Sequence, residues 1–522
     1  MTASKIDNAR RNLVSSIAAR IFNLILPFVL RAVMLQTLGA EFLGLSGLFT
    51  SIFTFLGLAD LGIGSAIVYL MYEPIATGDT ETVNALLSTY RKYCRIIGVV
   101  IFAAGAALIP FLPRFIHGKG PEGIQISLVY LILLVNTSIS YFFFAWRDSL
   151  FRASQRLDVI NYVEMGVRIA TDSLQIAVLL LTRNYYVYCI VFPLMTIIRN
   201  LTIAYLSRIK FPQYMCEGSL SGEGQQQLRK RVAGLIAGRV SARMCYDLDN
   251  IVISASLGLV MLAKFQNYQQ ISSWLMILVG MLGESLIPGI GNSLIMESRE
   301  KNYRDMNKYQ LLYMWLNGWI TAGLVCLYQP FIRLWLGSEM LLSDMMLPLF
   351  GLYYMTLKMD DVCYQYRVAA GLWWEDRHRA VFAGVFNLVM DVIMVGRFGA
   401  AGVLGATILY QVVFDSFWGD LILFKNCFPG YDRFAFMKKR IYYMVIIVFS
   451  CALCWFACGV FPTAEGRSLY AVALLLGRGL LCTAVANACM WLFFRRMEEF
   501  GDAMDLARRL LHPDRRAGES DE

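Results

Sequence analysis

The sequence predicts an all-α polytopic membrane protein with about fourteen transmembrane helices. Of its 522 residues, 57% are hydrophobic and only 16% are charged. The mean hydropathy of +0.54 exceeds that of soluble domains. The apolar runs are long and continuous, and each has the roughly 20 residues that an α-helix needs to cross a bilayer. An outer-membrane barrel would instead show strands of about ten residues with alternating polarity.

Each predicted helix is an apolar run bounded by polar or basic residues. Six spans come first, at residues 12–38, 42–70, 93–113, 125–146, 159–182 and 185–206. Six more follow at residues 233–258, 266–294, 309–336, 346–370, 379–397 and 401–425. The last two are at residues 441–461 and 468–494. The charged tail behind them has spaced apolar residues, which predict a short amphipathic helix.

The basic residues of the loops indicate the orientation of the chain. Loops on the side of the N-terminus are rich in Lys and Arg, whereas the opposite side has few: Arg114, Lys119, Arg183, Lys264, Arg333, Arg397 and Arg467. Cytoplasmic loops show this excess, so we expect both termini in the cytoplasm. The net charge of +9 follows the same pattern. It therefore does not indicate nucleic-acid binding.

The two halves of the chain look like copies of each other at an offset of 219 residues. The offset pairs Arg20 with Arg239, Leu38 and Gly39 with Leu257 and Gly258, Gly64 with Gly283, Tyr90 with Tyr309, Arg114 with Arg333, Gly118 with Gly337 and Asp172 with Asp391. Six helices per copy is an even number, so both copies begin and end on the same side and form a parallel repeat. We expect a cleft between the two lobes.

The repeat and the polarity of the chain predict five regions. They are an N-terminal lobe (1–208), a cytoplasmic linker (209–231), a C-terminal lobe (232–428), two additional helices (429–496) and a cytoplasmic tail (497–522). The linker is the most polar stretch inside the chain and contains several Gly and Ser residues, which favour a flexible connection. We therefore expect the two lobes to move relative to each other.

Arginines occur inside or at the edge of apolar spans, where a cation costs at least about 2.5–3.5 kcal/mol. They are Arg20, Arg31, Arg168, Arg199, Arg239 and Arg243. Arg20 and Arg31 lie eleven residues apart and share a helix face. Arginine forms bidentate bonds to phosphate oxygens. We interpret these six residues as the binding groups for a phosphate or diphosphate in the cleft.

A structural role competes with this interpretation. Arg239, Arg243 and Asp247 step by four residues, and Glu164, Arg168 and Asp172 repeat the spacing. Such pairs neutralise one another or join helices. Arginines near helix ends can also extend to the interface, which is an alternative for Arg20 and Arg239.

Intramembrane acids are candidates for coupling to an ion or a proton. We assign this role to Asp60, Asp172 and Asp391. The sequence shows no catalytic triad, no metal-binding pattern and no cofactor motif. Most of the twelve cysteines lie within spans and are expected to act as small hydrophobic residues. We therefore expect a transporter without a cofactor, and not an enzyme.

Four stretches carry a resemblance to a known family. Residues 30–49 (LRAVMLQTLGAEFLGLSGLF) and 58–67 (LADLGIGSAI) are similar to the start of bacterial polysaccharide or oligosaccharide flippases of the Wzx type. Residues 249–258 (DNIVISASLG) and 402–407 (GVLGAT) look like the corresponding signatures of the second half. The likeness extends to about residue 430 and implies the multidrug/oligosaccharidyl-lipid/polysaccharide exporter (MOP) superfamily.

The resemblance implies a function and a location. It implies a monomeric flippase in the bacterial cytoplasmic membrane that moves undecaprenyl-diphosphate-linked oligosaccharide to the outer leaflet by alternating access, for surface polysaccharide assembly. Membrane lipid, a polysaccharide polymerase and glycosyltransferases are the implied partners. Three alternatives stay open: a cation-coupled multidrug antiporter of the same fold, a lipid II flippase, and a membrane glycosyltransferase or ligase. The short outer loops disfavour the last of these.

Overall fold

The computed structural model describes residues 26–60, 62–118, 120–222, 224–226, 247–462, 466 and 468–511, together with residues 11, 15 and 228. Within these ranges the regular structure is entirely helical, so the predicted fold class is confirmed. The chain forms two compact units, Met1–Ala263 and Lys264–Glu522, here called the N-unit and the C-unit. The predicted linker at 209–231 and the lobe boundaries at 208 and 232 stay predictions.

The helices of the N-unit are α1 (Leu26–Thr37), α2 (Ala40–Leu56), α3 (Ile63–Thr77), α4 (Thr80–Leu108), α5 (Ile126–Phe142), α6 (Asp148–Ala153), α7 (Leu157–Thr182), α8 (Tyr185–Lys210) and α9 (247–257). The predicted span 42–70 is interrupted between α2 and α3. There Gly57–Asp60 form a 3-10 turn, and Gly62 has a positive φ of 79°. Glycine adopts that backbone conformation without the steric cost of a Cβ.

The helices that follow are α10 (Leu259–Met296), α11 (Arg299–Leu336), α12 (Met346–Met359), α13 (Asp361–Ala369), α14 (Trp373–Phe398), α15 (Ala400–Tyr410), α16 (Gly419–Asn426), α17 (Arg433–Cys458), α18 (Leu469–Phe494) and α19 (Phe500–Leu511). A π-helical segment, Gln411–Trp418, joins α15 to α16. The predicted amphipathic helix of the tail is α19, whose Phe500 stacks on Trp315 of α11.

Nine helices of the described chain are long and apolar enough to cross a membrane, and α5 with the bent segment behind it makes a tenth. Of the fourteen predicted spans, 12–38 and 233–258 lie partly outside the described residues. The span 346–370 is divided at Asp360, which ends α12 and precedes α13. The apolar pattern placed both pieces in one span, although α13 contains the polar residues Asp361, Gln365 and Arg367.

The offset of 219 residues recurs in the backbone. Helices α4 and α11 begin at equivalent positions, where Asp79 and Ser298 accept a hydrogen bond from the amide three residues ahead. Gly118 and Gly337 both have a positive φ, as do Gly39 and Gly258. The paired glycines Gly64 and Gly283 each face a tyrosine hydroxyl, of Tyr90 and of Tyr313, although the offset pairs Tyr90 with Tyr309 and so the two tyrosines are not equivalent. The internal repeat is therefore a feature of local structure as well as of sequence.

Helices α17 and α18, which have no counterpart among the described helices of the N-unit, pack on α11 of the C-unit. Their shared core includes Ile447, Cys454, Cys482 and Met490. The cysteines thus serve as small buried side chains at helix contacts, as expected.

Candidate functional site

The six arginines predicted to bind diphosphate divide into two groups. Arg20, Arg239 and Arg243 lie outside the described residues. Arg31 of α1, Arg168 of α7 and Arg199 of α8 are described, and all three belong to the N-unit. Whether arginines from both units meet in one cleft, as the sequence predicts, stays a prediction.

Arg31 and Arg168 lie around one tyrosine. Tyr188 of α8 has Arg31, Arg168 and Asp172 as its charged neighbours. The Nε of Arg168 is 2.7 Å from Asp172 Oδ2. The Asp172 side chain is 2% exposed, whereas 41% of the Arg168 side chain is exposed. One guanidinium is therefore oriented by a buried carboxylate and still accessible to a ligand. This group of four residues is the N-unit cluster.

Arg199 has a different environment. Its Nη2 bonds Glu164 Oε1 at 2.6 Å and Asp148 Oδ2 at 3.4 Å, and its Nη1 bonds the amide oxygen of Asn200. Two carboxylates therefore compensate this guanidinium within the N-unit. The sequence showed Glu164 as a partner of Arg168 through their i,i+4 spacing, but in the structure Glu164 pairs with Arg199 of the neighbouring helix.

Asp60, the first candidate for ion coupling, ends the 3-10 turn between α2 and α3. Tyr90 and Cys94 of α4 and Tyr141 of α5 have this carboxylate as an electrostatic neighbour. The acid thus lies at the interruption of an otherwise apolar pair of helices, among side chains that can donate hydrogen bonds.

Asp391, the candidate in the C-unit, is fully buried in α14. The Asn387 amide donates to Asp391 Oδ1 at 3.5 Å and lies 3.4 Å from Thr407 Oγ1 of α15. Thr407 in turn donates to the carbonyl oxygen of Val403. A carboxylate, an amide oxygen, a hydroxyl and a carbonyl are oxygen groups of the kind that hard cations bind. These residues form the C-unit cluster.

The two clusters occupy equivalent positions in the repeat. The offset that pairs Asp172 with Asp391 also pairs Arg168 with Asn387 and Tyr188 with Thr407. The N-unit copy thus carries an arginine where the C-unit copy carries a neutral amide. Sequence reasoning missed Tyr188, Asn387 and Thr407, although the offset, applied residue by residue, would have found them.

A second group in the C-unit consists of charged residues whose pairing was not predicted from the sequence. Arg440 of α17 bonds Asp420 of α16 at 2.6 Å, and Arg367 of α13 bonds Asp360 at 2.7 Å. Arg440 also lies 3.7 Å from Asp360 and donates to Ser416 Oγ at 3.2 Å. These buried residues form the ion network of the C-unit. The side chains were visible in the sequence, but their pairing depends on how α13, α16 and α17 pack, and the contact of Arg440 with Asp360 joins residues 80 positions apart.

The ion network contains a set of metal-type donor atoms, from Asp360, Cys363 and Asp420, within 4.8 Å of one another. Both carboxylates are ion-paired to Arg440, and Asp360 also to Arg367. Two guanidinium groups already compensate the carboxylates, so the arrangement serves as a salt-bridge network. Glycine at position 419 leaves room for this network, because a Cβ there would lie 2.6 Å from Nη1 of Arg367.

No family model and no curated protein sequence matches the chain. Solved structures do. An inward-facing multidrug resistance MATE family transporter of the MOP superfamily aligns with a TM-score of 0.62 and 15% identity over 79% of this chain and 96% of its own. The lipid II flippase MurJ in an inward closed conformation aligns with a TM-score of 0.61 and 15% identity over 93% of this chain and 99% of its own.

A third similar structure is a MOP superfamily transporter from Pyrococcus furiosus, described as having a binding pocket of reverse polarity. It aligns with a TM-score of 0.54 and 15% identity over 80% of this chain and 95% of its own. These matches cover almost the entire length of the known structures and most of the present chain. The chain is thus a polytopic all-α membrane protein with the fold of MOP superfamily transporters.

Proposed function

We propose that the protein is a flippase for a polyprenyl-diphosphate-linked oligosaccharide of the bacterial cytoplasmic membrane. The observation that carries this proposal is the N-unit cluster, in which Arg31, Arg168 and Asp172 are the charged neighbours of Tyr188 within apolar helices. Guanidinium groups bind phosphate oxygens through paired N–H donors. An anionic head group is therefore the ligand that this cluster suits best.

The chemistry of the cargo explains why arginines are needed. A diphosphate that carries sugars cannot enter hydrocarbon unaided, because an unpaired buried charge is prohibitively costly. Arg168, oriented by Asp172 and 41% exposed, can bind such a group without losing its own partner. The polyprenyl tail can remain in the lipid while the head group moves. Arg20, Arg239 and Arg243 are proposed as further contacts to the diphosphate.

Two sources of energy are available for export. Moving a group with two negative charges outward across an inside-negative membrane releases roughly 4–5 kcal/mol at 100 mV. We propose that a cation bound at Asp391 adds to this, because the surrounding Asn387 and Thr407 provide further oxygen ligands. Asp60 and Asp172 are the alternative coupling sites.

The extent of the structural matches favours a lipid-linked cargo over a drug. The MATE family structure covers 79% of this chain, whereas the lipid II flippase MurJ covers 93%. The longer match makes lipid II itself the second candidate cargo. A drug antiporter would need a cavity suited to organic cations, and the arginines of the N-unit cluster do not provide one.

Reconstitution into vesicles tests the proposal. Purified protein would be placed in vesicles with fluorescent undecaprenyl-diphosphate oligosaccharide or fluorescent lipid II, and exchange between leaflets would be followed with and without an imposed voltage. We expect exchange of the oligosaccharide lipid that is accelerated by an inside-negative potential. Exchange of lipid II alone would favour the second candidate.

Two further results would contradict the proposal. Transport of organic cations with no exchange of either lipid would favour the multidrug antiporter. Transfer of the glycan to an acceptor by the purified protein would favour a glycosyltransferase or ligase. Empty vesicles serve as the control for spontaneous exchange.

A further inference from the structure

Two arginines of the C-unit line one small cavity at the end of the unit where α11 ends and α18 begins. Arg333 belongs to the last turn of α11, and Arg478 lies within α18. Gln329, Pro462, Gly466 and Ala471 are among the other lining residues, and none of the described lining residues carries a carboxylate. Two cations thus face one space, and no acid is among the described residues of its wall.

The protein compensates these arginines only in part. Nη2 of Arg478 donates to the carbonyls of Phe461 and Pro462, at 2.7 and 3.3 Å. The Nε of Arg333 and the Nε of Arg478 are both buried without a hydrogen-bond partner. Within the part of the chain that the structure describes, neither guanidinium forms an ion pair. Buried N–H groups are normally bonded, whereas these two lack an acceptor among the described residues.

The size of the cavity limits what can supply that acceptor. Its volume is about 60 Å³, and one water needs roughly 10–15 Å³ by the same measure. The cavity can therefore hold a group about as large as a phosphate.

The repeat shows that this site is particular to the C-unit. Arg114 is the counterpart of Arg333 in the N-unit, where its exposed guanidinium lies 5.3 Å from the Phe111 ring. In the C-unit, α18 adds Arg478. The Phe461 ring packs against Gly477 so closely that a Cβ on this glycine would lie 2.9 Å from the ring. The two additional helices thus convert an exposed arginine position into a walled cavity.

We infer that this cavity binds the phosphate group of a ligand, with the membrane phospholipid head group and the free phosphate ion as its two possible sources. In the predicted orientation this end of the C-unit faces away from the cytoplasm. Positive residues are depleted on that side of membrane proteins, so two arginines there require a reason such as an anionic ligand. The inference does not depend on the cargo proposed above.

The test compares binding of phosphate-bearing and phosphate-free molecules to the full-length protein. Native mass spectrometry would measure retention of phosphatidylglycerol and of a phosphate-free galactosyl diacylglycerol. Thermal unfolding in detergent would measure protection by inorganic phosphate. The variants are Arg333→Gln, Arg478→Gln and the double variant, and the matched control is Arg114→Gln, the counterpart without a cavity.

We expect phosphatidylglycerol to be retained at least about tenfold better than the galactolipid, and each glutamine variant to lose about tenfold, since hydrogen bonds to charged groups are strong. Arg114→Gln should bind like the wild type. If the glutamine variants lose retention of phosphatidylglycerol, the ligand is a phospholipid head group. If they lose thermal protection by inorganic phosphate, the ligand is the free phosphate ion. Equal retention of both lipids by the wild type, with no protection by phosphate, overturns the inference without requiring any variant to fold.

Discussion

Arg440 of α17 bonds Asp420 of α16 with 2.6 Å between Nη1 and Oδ2, and both side chains are almost completely buried, at 2% and 0% exposure. The pair joins a helix that has no counterpart in the N-unit to the segment directly behind the π-helical turn Gln411–Trp418. Arg440 also reaches Asp360, where α12 ends. The Arg440 side chain thus contacts the break between α12 and α13 at Asp360 and, through Ser416, the π-helical segment.

Removing one member of this pair should destabilise the protein strongly. Arg440→Met leaves Asp420 buried without its cation, and such a loss costs about 3–5 kcal/mol. We expect a clear drop in the unfolding temperature in detergent. Arg304→Met, which breaks an exposed pair with Glu300, should change little, since exposed pairs contribute about 0–1 kcal/mol.

A double variant separates lost pairing from lost packing. Arg440→Met with Asp420→Leu removes both charges, so it should be more stable than Arg440→Met alone. If the double variant were the less stable of the two, the buried charge of Asp420 would not be the cause of the destabilisation.

Arg168 should be required for lipid exchange. Arg168→Gln removes a charged donor from the N-unit cluster, and the loss of one or two charge-assisted hydrogen bonds corresponds to a roughly 10- to 100-fold slower exchange. Arg152→Gln is the matched control, because Arg152 also forms an i,i+4 pair with an aspartate but lies in α6, outside the cluster. Equal rates for the two variants in the vesicle assay would remove Arg168 from the binding site.

Asp391 should determine the response to cations. Asp391→Asn keeps the size of the side chain but removes the charge, so exchange should persist and lose its stimulation by a Na⁺ or proton gradient. Asp305→Asn, which alters a partly exposed pair with Lys308, should leave the stimulation unchanged. The measurement is the exchange rate with and without each gradient. Undiminished stimulation in Asp391→Asn would exclude this carboxylate as the coupling site.

Gly44 should tolerate no side chain. A Cβ at this position of α2 would lie 2.0 Å from the carbonyl oxygen of Leu259, so Gly44→Ala forces a backbone shift that typically costs about 1–3 kcal/mol. Gly166→Ala in α7 is the control, because nothing lies within 4 Å of that Cβ and alanine favours a helix by about 1 kcal/mol. The unfolding temperature in detergent should therefore fall for Gly44→Ala and rise slightly for Gly166→Ala.

The amino-acid sequence predicted which arginines of the N-unit are unusual, but it did not predict all of their contacts. The cost of a cation in an apolar span singles out Arg31, Arg168 and Arg199 from the amino-acid sequence. The i,i+4 pair of Arg168 and Asp172 follows from helix geometry and is present. The partner of Arg199 does not follow, because Glu164 belongs to another helix and its direction depends on how α7 and α8 pack.

Hydropathy and repeated residues are properties of local segments, so the amino-acid sequence was sufficient for the helical membrane class, most of the spans and the offset of 219 residues. The folded arrangement was needed to show that Tyr188 lies among Arg31, Arg168 and Asp172. It was equally needed for the pair of Arg440 with Asp420 and for the cavity that Arg333 and Arg478 share. These groupings depend on the rotation and axial position of each helix against its neighbours. Packing sets those quantities, and no single segment contains them.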